Sequence, residues 1–192
     1  MEKLPYLTND LAGIGGKFKA LPEDFYVEEI PSYQPCGEGQ HIYLRFEKKG
    51  LTTLSAINRI AQSLEISPKA IGYAGLKDAN AVTQQTVSIN NVKPDMVEAL
   101  NLSDIRVLDV ARHRNKLKVG HLTGNKFRIR LRDVEQVAMP QVEKILQQLQ
   151  AVGIPNYFGE QRFGLRDNSH LLGLTLMQGD HPHFLRELLG KP

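Results

Sequence analysis

Hydrophobic and polar residues alternate along much of the chain. In HIYLRFEK, Ile42, Leu44 and Phe46 alternate with Tyr43, Arg45 and Glu47, the period of a half-buried strand. FYVEEI is a β-branched and aromatic run that follows the punctuation of LPEDF, so it reads as a strand fed by a turn. The cleanest period of two is NKFRIRLR. Phe127, Ile129 and Leu131 share one face, while Lys126, Arg128, Arg130 and Arg132 share the other, which predicts a strand with a core face and a cationic face. Shorter strands are expected around TVSI and over residues 106–112.

Between these runs the period changes to that of helices. Leu54, Ile57, Ala61 and Leu64 recur on one face behind Thr52 or Thr53, either of which can cap the helix. PDMVEAL predicts a short helix with Pro94 in its first turn. PQVEKILQQLQAVG predicts a longer one with Val142, Ile145, Leu146 and Leu149 inward and Gly153 as its stop. A last short helix, HFLRELLG, follows SHLLGLTLMQGD. Hairpin-like strand pairs mixed with helices predict an α+β fold with a largely antiparallel sheet. Neither GxGxxG after a strand nor GxxxxGK[ST] occurs, so no nucleotide cofactor is signalled.

Composition sets bounds on this picture. With 192 residues, 41% hydrophobic and 23% charged, the chain is long enough to bury a core and has no low-complexity tract. Its apolar runs are far shorter than a membrane span, and MEKLPYLTND has no signal-peptide pattern, so a cytoplasmic protein is expected. A lone Cys36 excludes an internal disulfide, and the close pair His181 and His183, with Asp180 beside it, is too sparse to predict a metal site.

Charge changes the picture more than composition does. Residues 106–132 hold nine Lys/Arg against one acid, Asp109, a local balance of +8 in a chain whose net charge is +3. Such a segment is either a surface that meets phosphates or a solvated basic edge that keeps a sheet from pairing with other chains.

The candidate chemistry lies in GYAGLKDANAVTQ. Gly72, Ala74, Gly75, Ala79 and Ala81 surround Asp78 with small side chains, which lets another backbone or a planar ligand come close. Taken alone, Asp-Ala-Asn is also an ordinary turn. Lys77 and Asn80 flank the acid, although neighbours in an extended segment point apart. Phe25 and Phe127 are candidate stacking platforms, and Asn125 has the donor and acceptor that suit a uracil edge. In isolation Phe127 reads as a core residue, because it shares its face with Ile129 and Leu131.

Read together and in order, FKALPEDFYVEE, GYAGLKDANAVTQQ, ARHRNKLKVGHLTGNKF and NYFGEQRFG resemble the signature segments of the tRNA pseudouridine synthase D family, over about residues 17–168. The resemblance implies a pseudouridine synthase fold, α+β with a mixed, mainly antiparallel sheet flanked by helices, and isomerisation of the uridine at position thirteen in the D arm of tRNA. It implies that Asp78 is the catalytic aspartate. Phe25 and Asn125 would hold the target nucleotide, Phe127 would lie against the flipped base, and Lys19 and Lys77 would line the site. Arg112, Arg114, Lys116 and Lys118 would meet the RNA backbone. The reaction moves the uracil from N1 to C5 with no change in bond count, so no cofactor and no metal is expected. The resemblance also implies that residues 1–192 are an N-terminal part of the catalytic domain, with the family's insertion domain and returning half absent. A tRNA-binding fragment without catalysis is the alternative expectation.

Overall fold

The computed structural model describes residues 6–135, 138–155, 157, 159, 163–164 and 166–190. The chain divides into two compact units, Ile14–Ala138 and Met1–Gly13 with Met139–Pro192.

The larger unit holds strands β1 (Phe25–Pro31), β2 (His41–Lys49), β3 (Ile71–Tyr73), β4 (Val82–Asn90), β5 (Ile105–His113) and β6 (Leu122–Ile129). Helix α1 (Thr53–Ser63) lies between β2 and β3, and α2 (Pro94–Glu98) lies between β4 and β5. The sheet order is β5-β2-β4-β1-β6, with β3 also on β4. Only β1 and β4 run parallel among these pairs, so the sheet is mainly antiparallel, as the pattern predicts, and mixed, as the resemblance implies. Along one edge of β4, β1 pairs with residues 82–84 and β3 pairs with residues 87–89. Among the described residues Gln85 and Thr86 have no strand partner on that side.

One face of the sheet carries Ile42, Leu44 and Phe46 of β2 with Val87 and Ile89 of β4, and α1 buries Ala56, Ile57, Ile60 and Ala61 against them. Each large apolar side chain enclosed here contributes about 1.5–3 kcal/mol. Thr52 is the cap, its Oγ1 accepting a hydrogen bond from the Ser55 amide at 3.0 Å. Leu54 departs from the expected stripe and is exposed. Thr53 takes the inward position instead, because its hydroxyl is employed there: it donates to Gln85 Oε1 at 2.9 Å and accepts from the Lys77 amide at 2.8 Å.

The other face of β2 is more enclosed than its alternation predicts. Residues 114–121 cross it, with the Leu117 amide donating to Ser88 Oγ (2.9 Å) and the Gly120 amide to Ala74 O (2.8 Å), and Leu117 covers Tyr43. Gly72 is required by this crossing, since a Cβ there would lie 2.3 Å from Leu117 O.

In NKFRIRLR the alternation holds but the burial does not. Val27 faces Phe127 and Tyr26 faces Arg128 across the β1/β6 pairing, so the two faces separate as expected. Phe127, Ile129 and Leu131 are nevertheless about half exposed. Phe127 and Ile129 lie on an edge strand, with Leu131 just past its end, where one neighbour supplies only half of the cover that an interior strand receives.

In the smaller unit α3 (Met139–Val152) and α5 (His181–Leu189) form at the expected places, and SHLLGLTLM, for which no helix is expected, forms α4 (Ser169–Met177). Gly153 ends α3 with φ +81°, and the Asp180 carboxylate caps α5 at the His183 amide (3.1 Å). Gln141 and Gln148 of α3 donate to Ala12 O and Leu7 O, which ties down the N-terminal segment. Val142, Ile145 and Leu149 are half-buried, while Leu146, expected inward, is exposed. Asn156, Phe158, Glu160, Gln161 and Arg162 of NYFGEQRFG lie outside the described residues. Among the described residues no helix is long and apolar enough to cross a membrane.

Candidate active site

Asp78 sits in the segment between β3 and β4 with its side chain 53% exposed. The small residues around it have divided tasks. Ala74 and Ala81 are buried, Gly72 yields to the chain's own Leu117, and Gly75 leaves room for the Lys77 ammonium, 3.5 Å from where a Cβ would stand. The close approach inferred from the sequence is therefore made by the protein itself, by the Leu117 backbone at Gly72 and by the Leu122 and Lys77 side chains at Gly75. Ala79 and Asn80 beside Asp78 stay open to solvent, as does Leu76.

Three lysines define the environment of the acid. Lys19 Nζ lies 3.1 Å from Asp78 Oδ1, and no partner for Oδ2 occurs among the described residues. Lys19 reaches this position from a left-handed backbone (φ +52°), a conformation that costs a non-glycine residue about 1–2 kcal/mol. Its ammonium also stands 3.8 Å from the centre of the Phe25 ring, which fixes it by cation–π attraction. Lys48, fully buried, donates to the backbone carbonyls of Asp78 (2.8 Å) and Leu51 and so pins the segment from beneath. Burial pushes the Lys48 ammonium down to about 8, with the Asp78 charge pulling it upward and Lys77 pressing it lower.

Lys77 points away from Asp78. Its Nζ pairs with Glu29 Oε2 at 2.7 Å in a site where both side chains are almost fully enclosed. Glu29 Oε1 accepts from the Thr86 amide at 3.2 Å, so the carboxylate supplies the bond that β4 lacks between β1 and β3.

The aromatic residues form a short row. Phe18 meets Phe25 edge-on at 5.6 Å, and Phe25 tilts against Phe127 at 5.8 Å. Phe25 is buried beneath Lys19, so it supports the cation and has no free face. Phe18 and Phe127 are the exposed rings of the row, at 55% and 54%. Asn125 lies opposite Glu29 in the β1/β6 pairing, and its Oδ1 is enclosed with no partner among the described residues. An enclosed carbonyl of this kind costs about 1–3 kcal/mol until a donor reaches it.

The structure thus brings Asp78, Lys19, Phe25 and Phe127 together and leaves the other basic residues elsewhere. His41 and His113 pair across β2 and β5 on the face that carries Tyr43, opposite the face of Lys48, and Arg114, Lys116 and Lys118 line a hollow with them. Arg112 is exposed on the edge strand β5 and donates to Gly39 O. Sequence reasoning did not find Glu29 or Lys48. Two acids in FYVEEI and two lysines in FEKKG were the available signals, since one of each pair must face inward on a strand.

An exposed carboxylate beside a held ammonium and an open ring, on a mixed α+β sheet, defines a site suited to a planar, polar substrate. The family model for tRNA pseudouridine synthase D (TruD) matches residues 3–192. A tRNA pseudouridine synthase D of Geobacter metallireducens is 53% identical over 187 residues, covering 97% of this chain and 46% of the relative. One from Thermus thermophilus is 43% identical over 178 residues, covering 92% of this chain and 50% of the relative. A crystal structure described as tRNA pseudouridine synthase D of Methanosarcina mazei superposes with a TM-score of 0.79 at 33% identity, covering 88% of this chain and 40% of that one. The chain belongs to the tRNA pseudouridine synthase D family. It spans about half the length of the curated relatives that it matches.

Proposed function

We propose that the chain carries the catalytic carboxylate of a cytoplasmic tRNA pseudouridine synthase, acting on the uridine at position thirteen of the D arm without a cofactor. The observation that carries this reading is the half-exposed Asp78, tethered through one oxygen to Lys19, whose ammonium lies over Phe25 in the row that ends at the exposed Phe127 ring, in a chain of this family.

The chemistry follows from the atoms. The C1′–N1 bond breaks, the uracil turns over, C1′ bonds to C5, and the C5 proton is lost while N1 gains one. Nothing is oxidised or consumed. The Asp78 carboxylate can attack the sugar at C1′, attack the base, or take the C2′ proton. Lys19 fixes the orientation of the carboxylate through Oδ1. Lifting the base out of the RNA costs a few kcal/mol, which stacking on Phe127 and hydrogen bonds from Asn125 offset. Lys77 supports the site indirectly, through Glu29, and Arg112, Arg114, Lys116 and Lys118 meet the RNA backbone. Residues 1–192 act here as an N-terminal part of the catalytic domain.

The test is to incubate unmodified tRNA with the 192-residue chain, and with the chain joined to the remaining half of the Geobacter metallireducens relative, and to map pseudouridine. Product at the D-arm uridine that falls at least about 100-fold in Asp78→Asn supports the reading. Undiminished product in Asp78→Asn contradicts it. The span of only about half of each relative favours a second reading, a tRNA-binding fragment without catalysis. That reading predicts binding that weakens steeply with salt, and product from the joined protein but none from the chain alone.

A further inference from the structure

On the opposite face of the sheet from Lys48 lies a second concave site, a hollow of about 720 Å³. Its wall includes the rings of Tyr33, His113 and His121, brought together from distant parts of the chain, with the buried Tyr43 packed against His113. Tyr33 stacks on His113 at 5.2 Å and 23°, Tyr43 tilts against the same imidazole at 4.7 Å, and His121 meets Tyr33 edge-on at 5.6 Å. These rings are locked by a single chain of hydrogen bonds. Tyr43 donates to Asn115 O at 3.1 Å, so its oxygen accepts from Tyr33 at 3.1 Å, and Tyr33 in turn accepts from His121 Nδ1 at 2.7 Å. Burial raises the Tyr43 phenol, which keeps it a donor at the end of the chain. His113 Nδ1 accepts from the Cys36 amide at 3.2 Å, leaving its proton on Nε2.

The cations stand around these rings. Arg114, Lys116 and Lys118 line the same hollow. Lys116 is anchored by donating to Lys69 O at 2.8 Å, and Arg114 pairs with Glu38. No ion pair of Lys118 occurs among the described residues. A row of pre-positioned aromatic faces with cations beside it fits one kind of occupant: a flat base followed by a phosphate.

Resting on the proposed tRNA-modifying role, we infer that this hollow binds a second, unpaired nucleotide of the same RNA, its base against Tyr33 and His113 and its phosphate on Lys116 and Lys118. The hollow is separate from the Asp78 site and has no acid placed for isomerisation. It is a holding site. Gripping two unpaired nucleotides selects an RNA by its fold, because only a structured RNA presents both at the required spacing.

The test uses the 192-residue chain and tRNA carrying 4-thiouridine, with photo-cross-linked peptides identified by mass spectrometry and affinity read by fluorescence anisotropy. Cross-links to peptides containing Tyr33 or His113, and a Kd raised about tenfold in both His113→Ala and Tyr33→Leu, are expected if a base stacks there. Circular dichroism checks that each variant is folded, and the cross-link on the unaltered chain needs no variant at all. Cross-links confined to the Phe127 region, with both Kd values within twofold, overturn the inference. A loss of affinity in Lys118→Ala with none in the ring variants also overturns it, since that is a backbone contact only. Failure of the proposed reaction is a separate result: Asp78→Asn that still forms pseudouridine removes the assignment of Asp78 and leaves the cross-link outcome standing. A chain that binds no tRNA at all defeats both.

Discussion

Two lysine–carboxylate pairs lie side by side in this protein, with Lys77 of one adjacent in sequence to Asp78 of the other. Lys77 and Glu29 meet at 2.7 Å with their side chains 4% and 3% exposed, while Lys19 and Asp78 meet at 3.1 Å with theirs 23% and 53% exposed. The chemistry of the groups is the same and the environment differs. The enclosed pair has both carboxylate oxygens engaged, by Lys77 and by the Thr86 amide, and it fills the gap between β1 and β3. The open pair leaves an oxygen free beside an exposed ring. A sealed pair holds the sheet together, and an open pair a few ångströms of chain away is free to meet a substrate.

Breaking the sealed pair has the largest expected effect on stability. Glu29→Gln or Lys77→Met strands one charge in the interior and is expected to cost about 3–5 kcal/mol in chemical denaturation. Replacing both partners together, as in Glu29→Leu with Lys77→Met, recovers much of that loss, because no charge is then stranded. A double variant as unstable as the worse single one would show that the pair acts through something other than its charges.

The next effect belongs to Lys48. Its folded pKa of about 8 lies below the ordinary value of 10.5, so the unfolded chain binds more protons between these values and stability rises with pH across that window. The rise relative to Lys48→Met is expected to reach roughly 3 kcal/mol by pH 10.5. Parallel stability curves for the two proteins from pH 8 to 10.5 would place the Lys48 charge outside the interior. A smaller effect is expected at the open pair: Lys19→Ala changes unfolding free energy by less than about 1 kcal/mol, the range of exposed ion pairs. A loss as large as that of Lys77→Met would erase the distinction between the two pairs.

Much of this arrangement was legible in the sequence, and what escaped it was set by long-range contacts. The strands at Phe25, His41 and Ile105, and helices α1 to α3, form where their periods place them, because local periodicity encodes the faces of an element. Periodicity does not say what covers a face. Phe127 and Ile129 alternate as core residues do yet stay half exposed on an edge strand, and Tyr43 alternates as a surface residue yet is buried under Leu117. The segment around Asp78 was recognisable from its own residues and from its resemblance to a family. Glu29 was not, because its partner lies 48 residues away across a gap that exists only once β1 and β3 share an edge of β4. The rings that line the hollow are likewise drawn from positions 33, 113 and 121, with Tyr43 packed against His113 and no motif to connect them.

The contrast between the two pairs reduces to one measurement: pseudouridine yield from unmodified tRNA set beside unfolding free energy for Asp78→Asn in the joined protein. The expected result is a yield at least about 100-fold lower with stability within about 1 kcal/mol of the parent. A variant that keeps its yield, or that loses it only because the protein unfolds, would contradict the assignment of Asp78 as the reacting carboxylate.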